Sequence, residues 1–165
     1  MNELLRHATP ADAPELSRLV QTSFLAYIAP DWEAQGRQEF LDENTAEKLA
    51  AKILNAALCL LCERDGQAVG VIFLPRPTLV QLFFVEPSCI GQGIGRALWE
   101  AAREAIERQH PDVKTVELNS SPYALNVYRA LGFYPISEPY RRKGAVATRM
   151  ACWLPGRGLE KANGA

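Results

Sequence analysis

Apolar positions along the chain change their period several times, and each change marks an element. Leu16, Leu19, Val20 and Phe24 recur at three- and four-residue spacing, which predicts a helix over about Pro10–Phe24 with Thr9 as its cap. A short strand, Leu4–His7, precedes it. Pro30 interrupts Tyr27–Trp32, and two further helices are predicted over about Glu33–Leu41 and Thr45–Ala57, the second carrying Leu49, Ile53, Leu54 and Ala57 as a stripe. The pattern then becomes strand-like at Leu58–Glu63 and Ala68–Leu74, joined through Arg64-Asp65-Gly66-Gln67, where Asp-Gly signals a hairpin. Leu79–Val85 reads LVQLFFV, apolar on both faces, and predicts one strand covered on each side. After a glycine-rich loop, Ile94, Leu98, Ala101, Ala102, Ala105 and Ile106 line one face of a helix predicted from about Gly93 to Gln109. Lys114–Asn119, Phe133–Ser137 and Ala145–Leu154 are predicted strands, with a short helix at Pro122–Leu131 closed by Gly132. A hairpin followed by alternating helices and strands predicts a mixed α/β sheet, neither all-parallel nor a sandwich.

No repeat or linker divides the sequence, so one domain is expected over residues 1–155, with 156–165 as a disordered tail. The 165 residues are 48% hydrophobic and 22% charged, an ordinary globular composition. A net charge of −1 supplies no basic field for nucleic acid. No apolar run approaches the roughly 18–20 residues that cross a bilayer, so no membrane partner is expected. The first residues, MNELLRHATPADAPEL, carry acids and proline where a signal peptide would be apolar. A cytoplasmic location follows as the expectation, with Cys59, Cys62, Cys89 and Cys152 as reduced thiols. Cys59 and Cys62 form a CxxC without a second Cys/His pair, so they read as core packing and no metal is expected.

The candidate chemistry lies in VEPSCIGQGIGRALW. Gly91, Gly93 and Gly95 fall on alternate positions between a strand and a helix, where bare backbone can form a cradle of N–H groups at the positive helix end. No lysine follows as a phosphate loop of the GxxxxGK[ST] type requires. The third glycine comes one residue early for a dinucleotide fingerprint, and the next strand ends in Asn119 rather than an acid. Val85-Glu86-Pro87 followed by Gly91-Gln92-Gly93-Ile94-Gly95-Arg96-Ala97-Leu98 instead resembles the signature segment of the GNAT superfamily of acyl-CoA-dependent N-acetyltransferases. Further on, Asn119-Ser120-Ser121-Pro122-Tyr123-Ala124 and Val127-Tyr128-Arg129-Ala130-Leu131-Gly132-Phe133 are similar to its second signature, A-x-x-x-Y-x-x-x-G-F. The resemblance covers roughly residues 3–154.

This resemblance implies a GNAT-type fold, a largely antiparallel sheet with splayed central strands and flanking helices. It implies acetyl-CoA as cosubstrate and direct transfer, in a ternary complex, to a primary amine of a small molecule or peptide. Its cofactor contacts carry over to Phe84, Val85, Ile90, Gly91, Gln92, Gly93, Ile94, Gly95, Arg96, Asn119 and Asn126. Phe84 and Val85 would act through a backbone N–H, and the two asparagines through the pantetheine amides. Tyr128 stands at the position of the acid that protonates the departing thiolate, a role open to a phenol with a reference pKa of about 10. Two positions depart from the pattern. Ile90 stands where the loop usually opens with arginine or glutamine, and Gln81 where many relatives place the basic carboxylate. Three sources of deprotonation stay open: Glu63 or Glu86 reached through water, or an amine that arrives already neutral.

Phe24, Tyr27, Trp32, Phe40 and the Tyr140–Gly144 turn fall where the family builds its acceptor pocket, although those rings equally suit covering the core. The basic run Tyr140-Arg141-Arg142-Lys143 reads as a solvated hairpin tip or as a contact for an anionic group. The alternative to an enzyme is a catalytically weak CoA-binding sensory module, motivated by Ile90 and Gln81. Either a monomer or a homodimer is compatible with the sequence.

Overall fold

The computed structural model describes residues 2–142 and 144–154. The expected tail at 156–165 and Lys143 of the basic run lie outside them. The chain opens with β1 (Glu3–His7), followed by α1 (Ala13–Tyr27), α2 (Ala34–Glu43) and α3 (Ala46–Asn55). A single 3-10 turn at Pro10–Asp12 leads into α1, where Asp12 Oδ2 accepts from the Thr9 amide at 2.8 Å. Thr45 caps α3 by accepting from the Lys48 amide. Leu49 is buried on the α3 stripe, whereas Leu54 is 73% exposed and Ala57 lies past the helix. Leu54 is five residues beyond Leu49, about 140° around the helix, and falls outside the buried stripe.

The first sheet has the order β1-β2-β3-β5, all antiparallel, with β2 (Leu58–Arg64), β3 (Gln67–Leu74) and β5 (Leu82–Val85). The second has the order β4-β6-β9-β7, with β4 (Leu79–Val80), β6 (Thr115–Ser120), β7 (Phe133–Pro135) and β9 (Ala145–Trp153). A further strand, β8 (Tyr140–Arg142), pairs with β9. The helix α4 (Ile94–Gln109) joins the two sheets, and α5 (Leu125–Ala130) follows a 3-10 turn at Pro122–Ala124.

The predicted single strand Leu79–Val85 is therefore two strands, and the break matters. β4 pairs in parallel with β6 through Leu79↔Glu117 and Val80↔Leu118. At Gln81 the chain transfers to β3: the Gln81 amide donates to the Phe73 carbonyl at 2.9 Å, while Leu82 occupies the same register position opposite Phe73. Two residues facing one is a bulge, which bends the strand and twists it away from its former neighbour. Beyond this point β5 runs with β3 and no longer with β6, and a V-shaped gap opens between the sheets.

Two apolar cores fix that geometry. Ala13, Leu16, Leu19 and Val20 of α1 and Leu49 of α3 cover one face of the first sheet, meeting Cys59, Leu61, Val71, Phe73 and Leu82. Ile94, Leu98, Trp99, Ala102 and Ile106 of α4 cover the other, meeting Leu60, Cys62 and Ile72 and continuing to Val116, Leu118 and Met150 of the second sheet. Strand side chains alternate between faces, so the CxxC sends Cys59 into one core and Cys62 into the other. Burial pushes the Cys59 thiol up to about 12, consistent with packing rather than reactivity. All four cysteines are free and buried.

Candidate active site

The gap is a cleft of about 430 Å³. Its floor is the open edge of β5. The Glu86 amide donates to the Val69 carbonyl at 2.8 Å, and the register continues through Val85↔Gly70 and Phe84↔Val71. Antiparallel pairs alternate between bonded and non-bonded, so the Phe84 amide is committed to β3 while the Val85 amide turns away from it into the gap. Ser23 of α1 approaches that same open edge, its Oγ donating to the Val85 carbonyl at 3.3 Å. Of the two residues expected to offer a backbone donor, Val85 has the available one. Phe84 contributes its ring, which packs near Phe40 at 6.1 Å.

One end of the cleft is the glycine loop. Gly91 and Gly93 have φ of 80° and 84°, in the left-handed region where a side chain is strained. A Cβ placed on either would meet no protein atom within 4 Å. Crowding by the chain itself therefore does not require glycine there, and the bare surface faces whatever approaches from solvent. Among the described residues, the amides of Gly91, Gln92, Gly93, Ile94, Gly95 and Arg96 have no protein acceptor. Gly93 is also the N-cap of α4, so the dipole of a sixteen-residue helix adds to those donors. Such a cradle fits a pyrophosphate.

Close packing behind the loop comes from Gly70, which sequence reasoning did not single out. A Cβ on Gly70 would lie 2.7 Å from Ile94 Cγ2 and 2.9 Å from Leu98 Cδ1. Only a bare backbone lets α4 settle this close to β3. The sequence signal was an isolated glycine inside an apolar strand, a usual mark of close approach.

The opposite wall belongs to α5 and the turn before it. Tyr128 and Val127 line the cleft with Leu131. The Tyr128 ring sits 5.9 Å from both Phe83 and Phe133, centroid to centroid. Withdrawal from water raises its phenol pKa above the ordinary tyrosine value, so the group stays protonated and able to donate. Its hydroxyl makes no hydrogen bond to another described residue. Tyr27 of α1 stacks on Tyr123 at 4.8 Å, and both rings line the cleft. Phe24, Trp32 and Phe40 instead form a packed cluster, with Phe24 and Phe40 stacked at 3.9 Å and Phe24 fully buried. Those three rings cover the core; Tyr27 alone of that group reaches the cleft.

Phe84, Val85, Ile90, Gly91, Gly93, Ile94, Gly95, Arg96 and Tyr128 thus come together around one cleft. Two expected contacts fall outside its lining: Asn119 Oδ1 accepts from the Tyr140 hydroxyl at 2.8 Å, and Asn126 lies exposed on α5. Gln92 keeps in the loop an amide with no acceptor among the described residues, while its side chain turns back onto Arg64. Gln81 lines the cleft and is exposed. Glu63 accepts from Arg6, 3.0 Å away, and Glu86 lies 3.6 Å from Arg18. Both carboxylates sit outside the cleft. Among the described residues lining it, none is Asp, Glu or His.

Residues 28–154 match the Acetyltransferase (GNAT) domain, and the chain belongs to that family of acetyltransferases. The peptidyl-lysine N-acetyltransferase YiaC of Escherichia coli (strain K12) is 24% identical over 91 residues, which span 55% of this chain and 60% of that protein. The fold is similar to a GCN5-related N-acetyltransferase from Rhodopseudomonas palustris, with a TM-score of 0.78, 20% identity, and coverage of 93% of this chain and 97% of that one. It is equally similar to the PaiA N-acetyltransferase from Thermoplasma acidophilum, a structure in complex with coenzyme A (TM-score 0.78, 16% identity, 93% and 99% covered). The splayed mixed sheet with flanking helices expected from the sequence is the architecture of these neighbours.

Proposed function

We propose that the protein is an N-acetyltransferase that binds acetyl-CoA in the cleft between β5 and α5 and passes its acetyl group directly to a primary amine. One observation carries this reading: the gap in the sheet ends at the glycine loop and the first turn of α4, where six amides have no acceptor among the described residues. In this reading the amides of Gly91–Arg96 hold the pyrophosphate, and the apolar walls around Val127 and Leu131 hold the pantetheine arm. Acetyl-CoA supplies the activated acyl group. The Val85 amide donates to the carbonyl oxygen as it gains negative charge, an oxyanion-hole role. Tyr128 donates its proton toward sulfur as the thiolate leaves.

Among the described residues no carboxylate lines the cleft, and Glu63 and Glu86 face arginines elsewhere. The amine loses its proton to solvent before or after it enters. The acceptor is a small-molecule or peptide amine; lysine side chains are the named substrate of YiaC and make a reasonable first member of a panel.

The test is release of free thiol from acetyl-CoA over a panel of amines, alongside calorimetric binding of CoA. Turnover with at least one amine supports the enzyme. A second reading, a CoA-binding sensory module, is favoured by Ile90, whose side chain cannot grip a phosphate, and by Gln81. Tight CoA binding without turnover on any amine would select it, and no CoA binding would remove both.

A further inference from the structure

Gln92 occupies the middle of the cradle between two glycines in the left-handed region, yet its side chain points away from the cleft. Arg64, the last residue of β2, donates from Nη1 to Gln92 Oε1 at 2.6 Å. The same guanidinium donates from Nη2 to Glu3 Oε2 at 2.8 Å, and Glu3 is its cross-strand partner in β1. Arg64 Nη1 also lies 3.7 Å from Cys89 Sγ, and Gln92 Nε2 donates to the Ser88 carbonyl at 3.3 Å. The Arg64 side chain is only 14% exposed. A continuous chain of polar contacts therefore runs from the first strand of the sheet, through Arg64, to the centre of the glycine loop.

We infer that Arg64, held by Glu3, is a positioning residue for acyl-CoA: it fixes Gln92 so that the flanking amides stay directed into the cleft. The physical need is specific to this chain. Two left-handed glycines around one residue leave a loop with many accessible conformations, and each one frozen on binding costs affinity. An arginine or glutamine at the loop's opening could grip the ligand directly, but Ile90 cannot, so pre-organisation has to come from behind. A guanidinium clamped by a carboxylate on one nitrogen and offering another to an amide oxygen is suited to that task, because its donors are fixed in a planar fork. Arg64 need not touch the ligand, and its charge is largely balanced by Glu3.

This inference rests on the acyl-CoA reading of the cleft, and the experiment separates the two. Arg64→Met, Arg64→Lys, Gln92→Ala and the Arg64→Met/Gln92→Ala double variant would be compared for calorimetric affinity toward CoA and toward pantetheine. KM and kcat would be measured with acetyl-CoA and with S-acetylpantetheine, which lacks the pyrophosphate. Loss of a hydrogen bond to a charged group should weaken CoA binding about tenfold in Arg64→Met and raise KM for acetyl-CoA by a similar factor, with kcat within about twofold. S-acetylpantetheine should respond by less than about twofold, because nothing in it meets the cradle. Gln92→Ala should match Arg64→Met, and the double variant should be no worse than either, since both remove one interaction. Arg64→Lys, which keeps a donor, should recover most of the affinity. In the free protein, backbone NMR order parameters at Gly91–Gly95 should fall in Arg64→Met.

Unchanged CoA affinity in Arg64→Met overturns the inference. So does an equal loss toward S-acetylpantetheine, which would indicate general damage, or additive effects in the double variant. If Arg64→Met does not fold, Gln92→Ala decides alone, because its side chain is exposed and its loss leaves the sheet intact. Failure of the unaltered protein to bind CoA would sink the acyl-CoA reading itself.

Discussion

Tyr128 is the one side chain proposed to take part in the chemistry. Its phenol is desolvated, so it stays protonated throughout the range in which the enzyme is expected to work. Tyr128→Phe removes the proton while leaving the ring contacts with Phe83 and Phe133 intact. Turnover should fall by about 10²-fold, in the lower range for general acid catalysis, while CoA affinity changes by less than about threefold. Stopped kinetics paired with calorimetry would check this, and an unchanged kcat would remove Tyr128 from the acid role. The residue was legible in the sequence because a motif placed it. Ser23 was not: it reads as one small residue on the apolar face of α1, and nothing local announces that its hydroxyl meets the Val85 carbonyl 62 positions away in sequence. Arg64 was hidden for the same reason, standing beside an Asp-Gly turn where most arginines are solvated.

At the scale of elements, the site depends on how closely α4 approaches β3 and on how the N-terminal strand is tied down. Gly70→Ala would place a methyl inside contact distance of Ile94 and Leu98, both buried. Helix and strand must then separate or repack, costing about 1–3 kcal/mol in a urea melt, the usual cost of overpacking. CoA affinity should fall with it, because Ile94 opens the helix that carries the cradle. The N-terminal strand is fastened by Arg6, which donates to Asp12 at 2.8 Å and 2.9 Å and also to Glu63. The Arg6 hydrogen bonds hold the Asp12 carboxyl at about 2, below its ordinary value. A depressed folded-state pKa gives stability that is present above the unfolded value and is lost as pH falls through the folded one. Asp12→Asn should therefore destabilise the protein by about 1–2 kcal/mol at neutral pH. That difference should shrink as pH drops from about 4 toward 2, as paired denaturation curves would reveal. Element types were readable from period and turn chemistry. The break at Gln81 was not, because LVQLFFV is apolar on both sides of it and the change of partner from β6 to β3 is a long-range pairing.

Taken whole, the molecule is two sheets that share α4 and part company beyond Gln81, and the parting is the candidate site. The loop proposed to hold the donor was visible in the sequence, since alternate glycines before an amphipathic helix have a local physical cause. The cleft's aromatic wall was not, since it depends on which rings reach the cleft: Phe24, Trp32 and Phe40 pack on one another, while Tyr27 stacks on Tyr123. The absence of Asp, Glu and His among the described cleft-lining residues has a kinetic consequence. If the acceptor reaches the thioester without a protein base, kcat/KM should rise with pH and level off near the pKa of the acceptor amine, moving when amines of different pKa are compared. A plateau fixed near one pH for every amine would instead reveal a protein base.

The central claim is that the cradle at the head of α4 binds acyl-CoA, and amide chemical shifts followed by NMR during a CoA titration test it most directly. Saturable shifts concentrated at Gly91–Arg96 and at Val85 are the expected result. No saturation, or shifts centred on another face of the molecule, would contradict it.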